Sequence, residues 1–450
     1  MGFPRAPKWR RILLNITVIG LGYVGAVAAA GLANAGHDVL GVDIDRIRVN
    51  SLSAGNVPIY EPGLEAGISA GLAHGNLRFS HPDDICEPLG DIALIATGTP
   101  PRQSGAADLS QVRSALQWIK SKPHDNLLVV MKSTVPPGTG CRLLSEDLGG
   151  SRMRYASNPE FLREGQAVAD WDSPDRIVIG AEPGDNETID AVKKMHDGIS
   201  APFVVTDITS AEMTKYASNA FLATRISFIN EIASLCERVG ASIDAVSEGL
   251  AMDPRTGSKI YAGVGYGGSC FPKDVRALDY LALTSGVNFE LLRSVINVNN
   301  KQRLLPLYAL RSRFGGAISG LRVGVLGLAF KPETDDVRDA PSLDLIRALV
   351  DEGVEVQAFD PRATHTAARE LPSSALILDD PVEASAGAHA LVLLTEWEQI
   401  VKADWKDVAR CMRPPRFVFD GRNCLSPQAM DMIGFEYHSV GRNNQPNPFV

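Results

Sequence analysis

No two cysteines in this 450-residue chain have the CxxC spacing of a zinc site or a redox motif. The six present (Cys86, Cys141, Cys236, Cys270, Cys411 and Cys424) are scattered. That also argues against a disulfide framework and for a reducing, cytoplasmic setting, with no metal. No apolar run is long enough to span a bilayer, so no membrane partner is expected. Positive charge is short too: the formal net charge is −9, which argues against a broad nucleic-acid footprint. A polyanionic ligand would need a local basic pocket. No tyrosine precedes a lysine in YxxxK spacing, which disfavours a short-chain epimerase or dehydratase. The basic start MGFPRAPKWRR lacks a following apolar stretch with a cleavage site and reads as a mobile extension. Hydrophobic residues make up 45% of the chain, enough for full cores. At about 150 residues per domain, the length predicts two or three domains.

The first pattern is NITVIG, residues 15–20, a short β-branched strand. It runs into GLGYVG, with Gly20, Gly22 and Gly25 in GxGxxG spacing, then an alanine-rich helix and a second strand ending in Asp43. Such glycines provide a tight turn, room for a pyrophosphate and close helix–strand packing, and the helix N-terminus offers N–H donors to phosphate. The segment predicts a dinucleotide site; the alternative is a glycine-rich turn without ligand. Asp43 would repel a 2′-phosphate and so favours NAD over NADP. Arg48 is a complication, since an arginine also serves the phosphorylated ribose.

Further strands are expected at residues 91–100, 127–138 and 154–161, then at RIVIG and PFVVTD, closing a first domain at 1–208. In doubly wound sheets ligands gather at the carboxyl ends of strands. Thr99, Ser133, Thr134, Glu160 and Glu164 are placed there, although a turn or capping role suits the Thr99 and Ser133 hydroxyls equally. Residues 209–239 read as one long helix, in which Phe221, Phe228, Ile229, Ile232 and Leu235 form an apolar stripe. Lys215 and Asn219 share a face of it, and together would suit an oxyanion. A solvated helix face is the simpler reading of that pair.

GVGYGGSCFPKD, residues 263–274, sets Cys270 behind glycines and ahead of Lys273 and Asp274. Glycines let a backbone approach a ligand closely. The thiol is either presented to a substrate or packed away as a small hydrophobe. Helix then continues to about residue 313, completing a central region at 209–315. From 316 to 450 the strand–helix alternation restarts with LRVGVLGLAF, so the fold class is α/β: two Rossmann-like doubly wound domains joined by a long central helix and a helical dimerisation region. The second first-strand turn lacks a complete GxGxxG, so no second NAD is expected there. Lys331, Arg338 and Arg422 follow its strand ends and suit phosphate, or are surface charges.

Taken in order, GLGYVG with Asp43, PIYEPGLE, GTP, KSTVPPGT, SNPEFLREG, KYASNAFLATRISFINE, GYGGSCFPKD and LGLAFKPETDDVRDAPS make the chain resemble the UDP-glucose/GDP-mannose dehydrogenase family from residue 15 to about 424. NAFLATRISFINE, LLTEW and FDGRN look most like members acting on UDP-glucose. The resemblance implies a four-electron oxidation of a nucleotide sugar's primary alcohol to a carboxylate, with NAD as oxidant and UDP-glucose as substrate. It implies Cys270 as nucleophile, Lys215 and Asn219 as oxygen stabilisers, Asp274 and Thr134 as water-ordering groups, and Glu164 as base. It places Asp43, Arg48, Thr99, Thr134, Glu164, Lys273 and Arg338 with the three glycines at NAD. Glu160, Phe161, Leu162, Glu164, Lys215, Asn219, Tyr261, Gly267, Lys331 and Arg422 fall at the nucleotide sugar. Arg255 matches an arginine supplied across a dimer, so a homodimer or higher homo-oligomer is implied. One departure stands out. RTGSKIYAGVGYGG is a residue shorter than the UDP-glucose pattern, with Lys259, Ile260 and Tyr261 where a phenylalanine is expected. GDP-mannose or a UDP-N-acetylhexosamine is the nearest alternative substrate; a single-step hydroxy-acid dehydrogenase and a non-catalytic nucleotide-sugar sensor are the more distant readings.

Overall fold

The computed structural model describes residues 13–124, 126–149 and 152–442; the basic N-terminal segment lies outside them. The described residues divide into two compact units, one comprising those up to Pro100 together with those of Asp108–Lys215, the other Pro101–Ala107 together with those from Tyr216 on.

Among the described residues the first unit is built on eight strands: β1 (Asn15–Ile19), β2 (Asp38–Val42), β3 (Leu77–Ser80), β4 (Ile92–Ile95), β5 (Leu128–Met131), β6 (Arg154–Ser157), β7 (Ile177–Gly180) and β8 (Phe203–Thr206). Their order is β3-β2-β1-β4-β5-β6-β7-β8. Strands β3 to β6 are parallel, whereas β7 meets β6 antiparallel at Ser157–Gly180 and pairs with β8 in parallel. The order reverses between β1 and β4, so a switch point lies at the carboxyl end of β1, where doubly wound sheets bind ligands. The central strands are near-continuous runs of buried Val, Ile and Leu because helices cover both faces. Alanines in the helix Tyr23–Asn34 let it lie close to the sheet, and Gly31 leaves room for Trp171, whose Nε1 would stand 2.0 Å from an added Cβ.

The second unit carries β9 (Arg322–Leu326), β10 (Glu355–Phe359), β11 (Leu376–Leu378), β12 (Ala390–Leu393), β13 (Phe417–Asp420) and β14 (Glu436–Ser439) in the order β11-β10-β9-β12-β13-β14. All five pairings are parallel. Ahead of this sheet come the helices Ile243–Ala251, Phe271–Thr284, Glu290–Arg303 and Leu305–Arg313. The expected long helix is Ile208–Val239, 32 residues and about 48 Å long. Its apolar stripe is not a single buried face. Ile229 is buried, but Phe221, Phe228 and Leu235, spaced seven apart on another face, are 64%, 52% and 55% exposed. Strands β3, β11 and β14 are absent from the sequence reading. All three are sheet edges with partly exposed patterns: β3 and β14 lack the apolar run that marks the central strands, and the run in β11 is only three residues long.

Candidate functional site

The GLGYVG turn shows why each of its glycines is needed. Gly20 has φ +89°, and an added Cβ would lie 2.9 Å from the Ala96 carbonyl oxygen. A Cβ on Gly25 would fall 1.8 Å from the Gly20 oxygen, so only glycine lets the helix start so close to β1. At Gly22 a Cβ would meet nothing within 4 Å. That open space stands at the N-cap of the helix Tyr23–Asn34, which no side chain caps. Asp43 anchors the turn: its Oδ2 accepts the Leu21 N–H at 2.7 Å and its Oδ1 accepts the Asp45 N–H at 2.9 Å. Arg48 Nη1 pairs with Asp43 Oδ2 at 3.0 Å. The space at Gly22, the uncapped N–H groups and the acid at the end of β2 fit a dinucleotide's pyrophosphate and ribose.

Two hydroxyls at neighbouring strand ends tie loops together. Thr99 Oγ1 donates to the Thr134 carbonyl at 2.9 Å, and Ser133 Oγ donates to the Thr97 carbonyl at 2.7 Å. Beyond β6 the chain forms a buried polar cluster. Glu160 Oε1 lies 3.0 Å from Lys215 Nζ, and its Oε2 accepts the Leu162 N–H at 2.6 Å. Burial alone would push the Glu160 carboxyl up, but Lys215 and the Leu162 N–H together hold it below the usual carboxylate range. The Phe161 ring lies 3.8 Å from the Arg176 guanidinium and 5.3 Å from Lys215 Nζ. Glu164 is buried nearby in sequence. Sequence reasoning missed Lys132. It is buried, donates to Asn158 Oδ1 at 2.9 Å, and sits 5.3 Å from the Trp171 ring. Burial brings its ammonium down to about 8, with Glu160 opposing and Lys215 reinforcing the shift. Its signal was the charge ending the otherwise apolar β5 segment. The simpler reading of Lys215 and Asn219 as a solvated face is corrected: each is only 4% exposed.

In the second unit, Cys270 is the N-cap of the helix Phe271–Thr284 and is partly exposed, so the thiol is not packed away as a core residue. Its Sγ lies 3.5 Å from Ser269 Oγ. The positive end of that helix favours negative charge at the sulfur. One turn on, the Asp274 carboxylate is 1% exposed and accepts from Asn219 Nδ2 at 2.6 Å and from Lys273 Nζ at 2.5 Å. The glycines before Cys270 thread a crowded channel. A Cβ on Gly267 would come 2.4 Å from the Asp339 oxygen, and the Gly268 N–H donates to the Arg338 carbonyl at 3.0 Å. Arg303 and Asn299 hold the Tyr266 backbone from the helix Glu290–Arg303. Of the cations expected near phosphate, Arg422 donates to the Leu394 and Phe330 carbonyls at 2.6 and 2.9 Å. Lys331 lies 5.3 Å from the Phe330 ring, and Arg338 grips Asp336 through two nitrogens. Arg255 stands apart on the surface, 89% exposed and paired with Asp253 at 2.6 Å. Tyr261 is 69% exposed.

Comparison with known proteins adds to this geometry. Residues 14–200 match the NAD binding domain of the UDP-glucose/GDP-mannose dehydrogenase family, 209–301 its central domain and 324–427 its UDP binding domain. The chain is 43% identical to the UDP-glucose 6-dehydrogenase YwqF of Bacillus subtilis, over 95% of this chain and 98% of that one. It is also 43% identical to a UDP-glucose 6-dehydrogenase of Pseudomonas aeruginosa, again over 95% and 98%. Among solved structures, a UDP-glucose dehydrogenase of Pyrobaculum islandicum matches with a TM-score of 0.85 at 37% identity, over 94% and 96% of the two chains. A UDP-D-ManNAc dehydrogenase of Pyrococcus horikoshii matches with a TM-score of 0.83 at 26% identity, over 96% and 100%.

Proposed function

Because the chain belongs to the UDP-glucose/GDP-mannose dehydrogenase family, we propose that it is a UDP-glucose 6-dehydrogenase, oxidising UDP-glucose to UDP-glucuronate with two NAD per sugar. The observation that carries the reading is Cys270 at a helix N-terminus, partly exposed, one turn from the buried Asp274–Asn219 pair and its neighbour Lys273. Bound NAD supplies the oxidising power for each two-electron step, held by Gly20, Gly22 and Gly25 at the pyrophosphate and by Asp43 at the ribose. Arg48, Thr99, Lys273 and Arg338 complete its surroundings in this reading.

The protein's own groups then account for the rest. Lys215 and Asn219 stabilise the developing charge on the sugar oxygen, a form of assistance that often dominates catalysis. Cys270 Sγ adds to the aldehyde carbon, which keeps the aldehyde from escaping and turns the second oxidation into thioester formation. Water held by Asp274 and Thr134 attacks the thioester carbon, Glu164 takes its proton, and the thiolate leaves. Glu160, Phe161, Leu162, Gly267, Tyr261, Lys331 and Arg422 contact the nucleotide sugar.

The shortened loop with Lys259, Ile260 and Tyr261 departs from the UDP-glucose pattern, so the second reading is the same chemistry on GDP-mannose or a UDP-N-acetylhexosamine. The likeness to the Pyrococcus horikoshii enzyme supports the N-acetylhexosamine. We further propose that a second copy of the chain covers the exposed Phe221–Phe228–Leu235 face and supplies Arg255, and that the protein works in the cytoplasm. No helix among the described residues is long and apolar enough to cross a membrane.

Stoichiometry tests the reaction: two NADH per UDP-glucose are expected, and one would return a simple alcohol dehydrogenase. Cys270→Ser, incubated with UDP-glucose and NAD, should retain a covalent sugar-nucleotide adduct by intact mass with little turnover. A serine variant turning over at the wild-type rate would remove Cys270 from the chemistry. Turnover of a panel of sugar nucleotides separates these substrates. Sedimentation of Phe228→Glu tests the second copy.

A further inference from the structure

The motif PIYEPGLE, residues 58–65, takes no part in the chemistry above, yet the first of its two glutamates is among the buried charged groups. Glu61 is 6% exposed, and its oxygens accept from one short stretch of backbone. Oε2 accepts the Gly165 N–H at 2.6 Å; Oε1 accepts the Ala167 N–H at 2.7 Å and the Val168 N–H at 3.5 Å. The Gly165 N–H is shared with the hydroxyl oxygen of Tyr23, also at 2.6 Å. Tyr23 is the first residue of the helix that follows the dinucleotide turn. Two segments more than a hundred positions away therefore converge on one peptide group.

That peptide directly follows Glu164. Residues 158–166 have no regular secondary structure, so no backbone ladder orients the Glu164 side chain. Gly165 has φ +79°, a left-handed conformation that a glycine adopts without strain. On the other side of Glu164, the Arg163 N–H donates to Asp170 Oδ2 at 2.8 Å and its guanidinium grips the same carboxylate. Glu164 is thus the one link between two clamped residues. A carboxylate accepting backbone N–H groups makes charge-assisted bonds about twice as strong as neutral ones. Such bonds are suited to holding a loop against the thermal motion of a few tenths of an ångström that would misdirect a base.

We propose that Glu61 and Tyr23 are positioning residues: by fixing the Gly165 peptide they aim the Glu164 carboxylate at the water that hydrolyses the thioester. The inference rests on the role given to Glu164 above. It separates PIYEPGLE and the tyrosine of GLGYVG from cofactor binding, and assigns both to the last chemical step. Earlier steps do not use Glu164 as base, so they should be nearly untouched. A purely structural role, capping the short helix Ala167–Asp172, would instead weaken every step alike.

The test uses Tyr23→Phe, Glu61→Gln and Glu164→Gln in the full-length protein with UDP-glucose and NAD. Glu61→Gln keeps one accepting oxygen but turns an amide NH2 toward an N–H donor; Tyr23→Phe deletes only the hydroxyl and decides the matter if the other variant folds poorly. We expect kcat to fall about 10- to 100-fold in Glu61→Gln and several-fold in Tyr23→Phe, the scale of a misplaced catalytic group. The first-turnover burst of NADH and the KM for UDP-glucose should stay near wild type. Intact mass should show the covalent adduct accumulating, as in Glu164→Gln. Accumulation in Glu164→Gln but in neither of the other two variants would overturn the positioning role and leave the Glu164 assignment standing. A Glu164→Gln enzyme that turned over normally without adduct would overturn both. Equal slowing of burst and steady state in Tyr23→Phe, without adduct, would mark a structural role and also sink the proposal.

Discussion

Residues 18–25, VIGLGYVG, and residues 325–332, VLGLAFKP, open the two sheets with the same backbone turn. Gly20 and Gly327 have φ +89° and +94°, and each N–H donates at 2.8 Å to the carbonyl of the last residue of the neighbouring strand, Val42 or Phe359. Leu21 and Leu328 each donate at 2.7 Å to an aspartate just past that strand, Asp43 or Asp360. The turns then part. Where the first has Gly25 and a helix beginning at Tyr23, the second has Pro332 and a charged loop, with its helix delayed to Pro341. Asp360 is also a different kind of acid. It accepts further from Ala329 N–H, Arg362 N–H, Ala363 N–H and Trp397 Nε1 and is 2% exposed. An acid at the end of the second strand is therefore not a ribose ligand by position alone. The ribose role proposed for Asp43 rests also on a turn before it that leaves room and donors for a pyrophosphate; Asp360, without such a turn, serves as a bolt for the loops.

The largest effect that separates the turns should come from Asp360→Ala. Several buried donors lose their acceptor together, and we expect at least about 3 kcal/mol of destabilisation in urea unfolding. Asp43→Ala should cost about 1–2 kcal/mol, weaken NAD binding and narrow the gap to NADP. Equal stability losses in the two variants would break the comparison.

Gly22→Ala should be felt in ligand binding alone. Nothing lies within 4 Å of the new methyl, so stability should change by less than about 0.5 kcal/mol, while NAD affinity measured by titration falls about tenfold or more as the pyrophosphate space fills. Unchanged NAD affinity would move the cofactor away from this turn.

Acid sensitivity should also differ between the units. In the first, His196 is buried against Trp171, and burial takes its pKa from 6.5 down to about 3. In the second, burial lowers that of His438 as well, with Glu237 opposing. A folded pKa below the unfolded one means the unfolded chain binds the extra proton first. The stability is therefore full above about 6.5 and is lost as the pH falls toward 3. Glu212, which accepts the Gly138 and Gly140 N–H groups at 2.7 Å each, has the opposite sign. Burial raises it to about 7, so its contribution is full below 4.5 and is lost as pH rises through 7. Glu212→Gln should flatten stability between pH 5 and 8, and His196→Phe between pH 3 and 6.5, each read from thermal unfolding across pH. A slope unaltered by the matching variant would remove that group from the pH response.

The smallest effect is expected of Ala329→Gly, which restores to the second turn the glycine found at position 22. It should cost about 0.5–1 kcal/mol through the unfolded chain and produce no second dinucleotide site, because Pro332 and the long loop remain. A second equivalent of NAD bound by this variant would show that one glycine is the whole difference.

Both sheets were legible in the sequence because their central strands are buried on two faces and write themselves as unbroken apolar runs ending in small or polar residues. The edges β3, β11 and β14 were not: polar residues interrupt β3 and β14, and β11 is an apolar run of only three residues, too short to stand out from loops. Within the site, the spacing of Lys215 and Asn219 put them on one helix face, and the glycines around Cys270 marked a backbone that must pass close to something. Burial was beyond reach: Lys215 beside Glu160, and Asn219 on Asp274, read from the sequence as solvated groups. Lys132 was hidden in the same way, because a lysine ending an apolar strand looks like a return to solvent until Asn158 and Trp171 close over it.

By itself the sequence determined the local grammar: strand and helix order, the left-handed turns that glycine adopts without strain, and the candidate site residues. These depend on neighbours within a few positions, where backbone sterics and apolar periodicity act. Only the tertiary structure decided which charges lost their water and which partner each then found. Gly165 is held by Glu61 and Tyr23 from more than a hundred positions away, and desolvation and hydrogen-bond pairing act over a few ångströms of space whatever the distance along the chain.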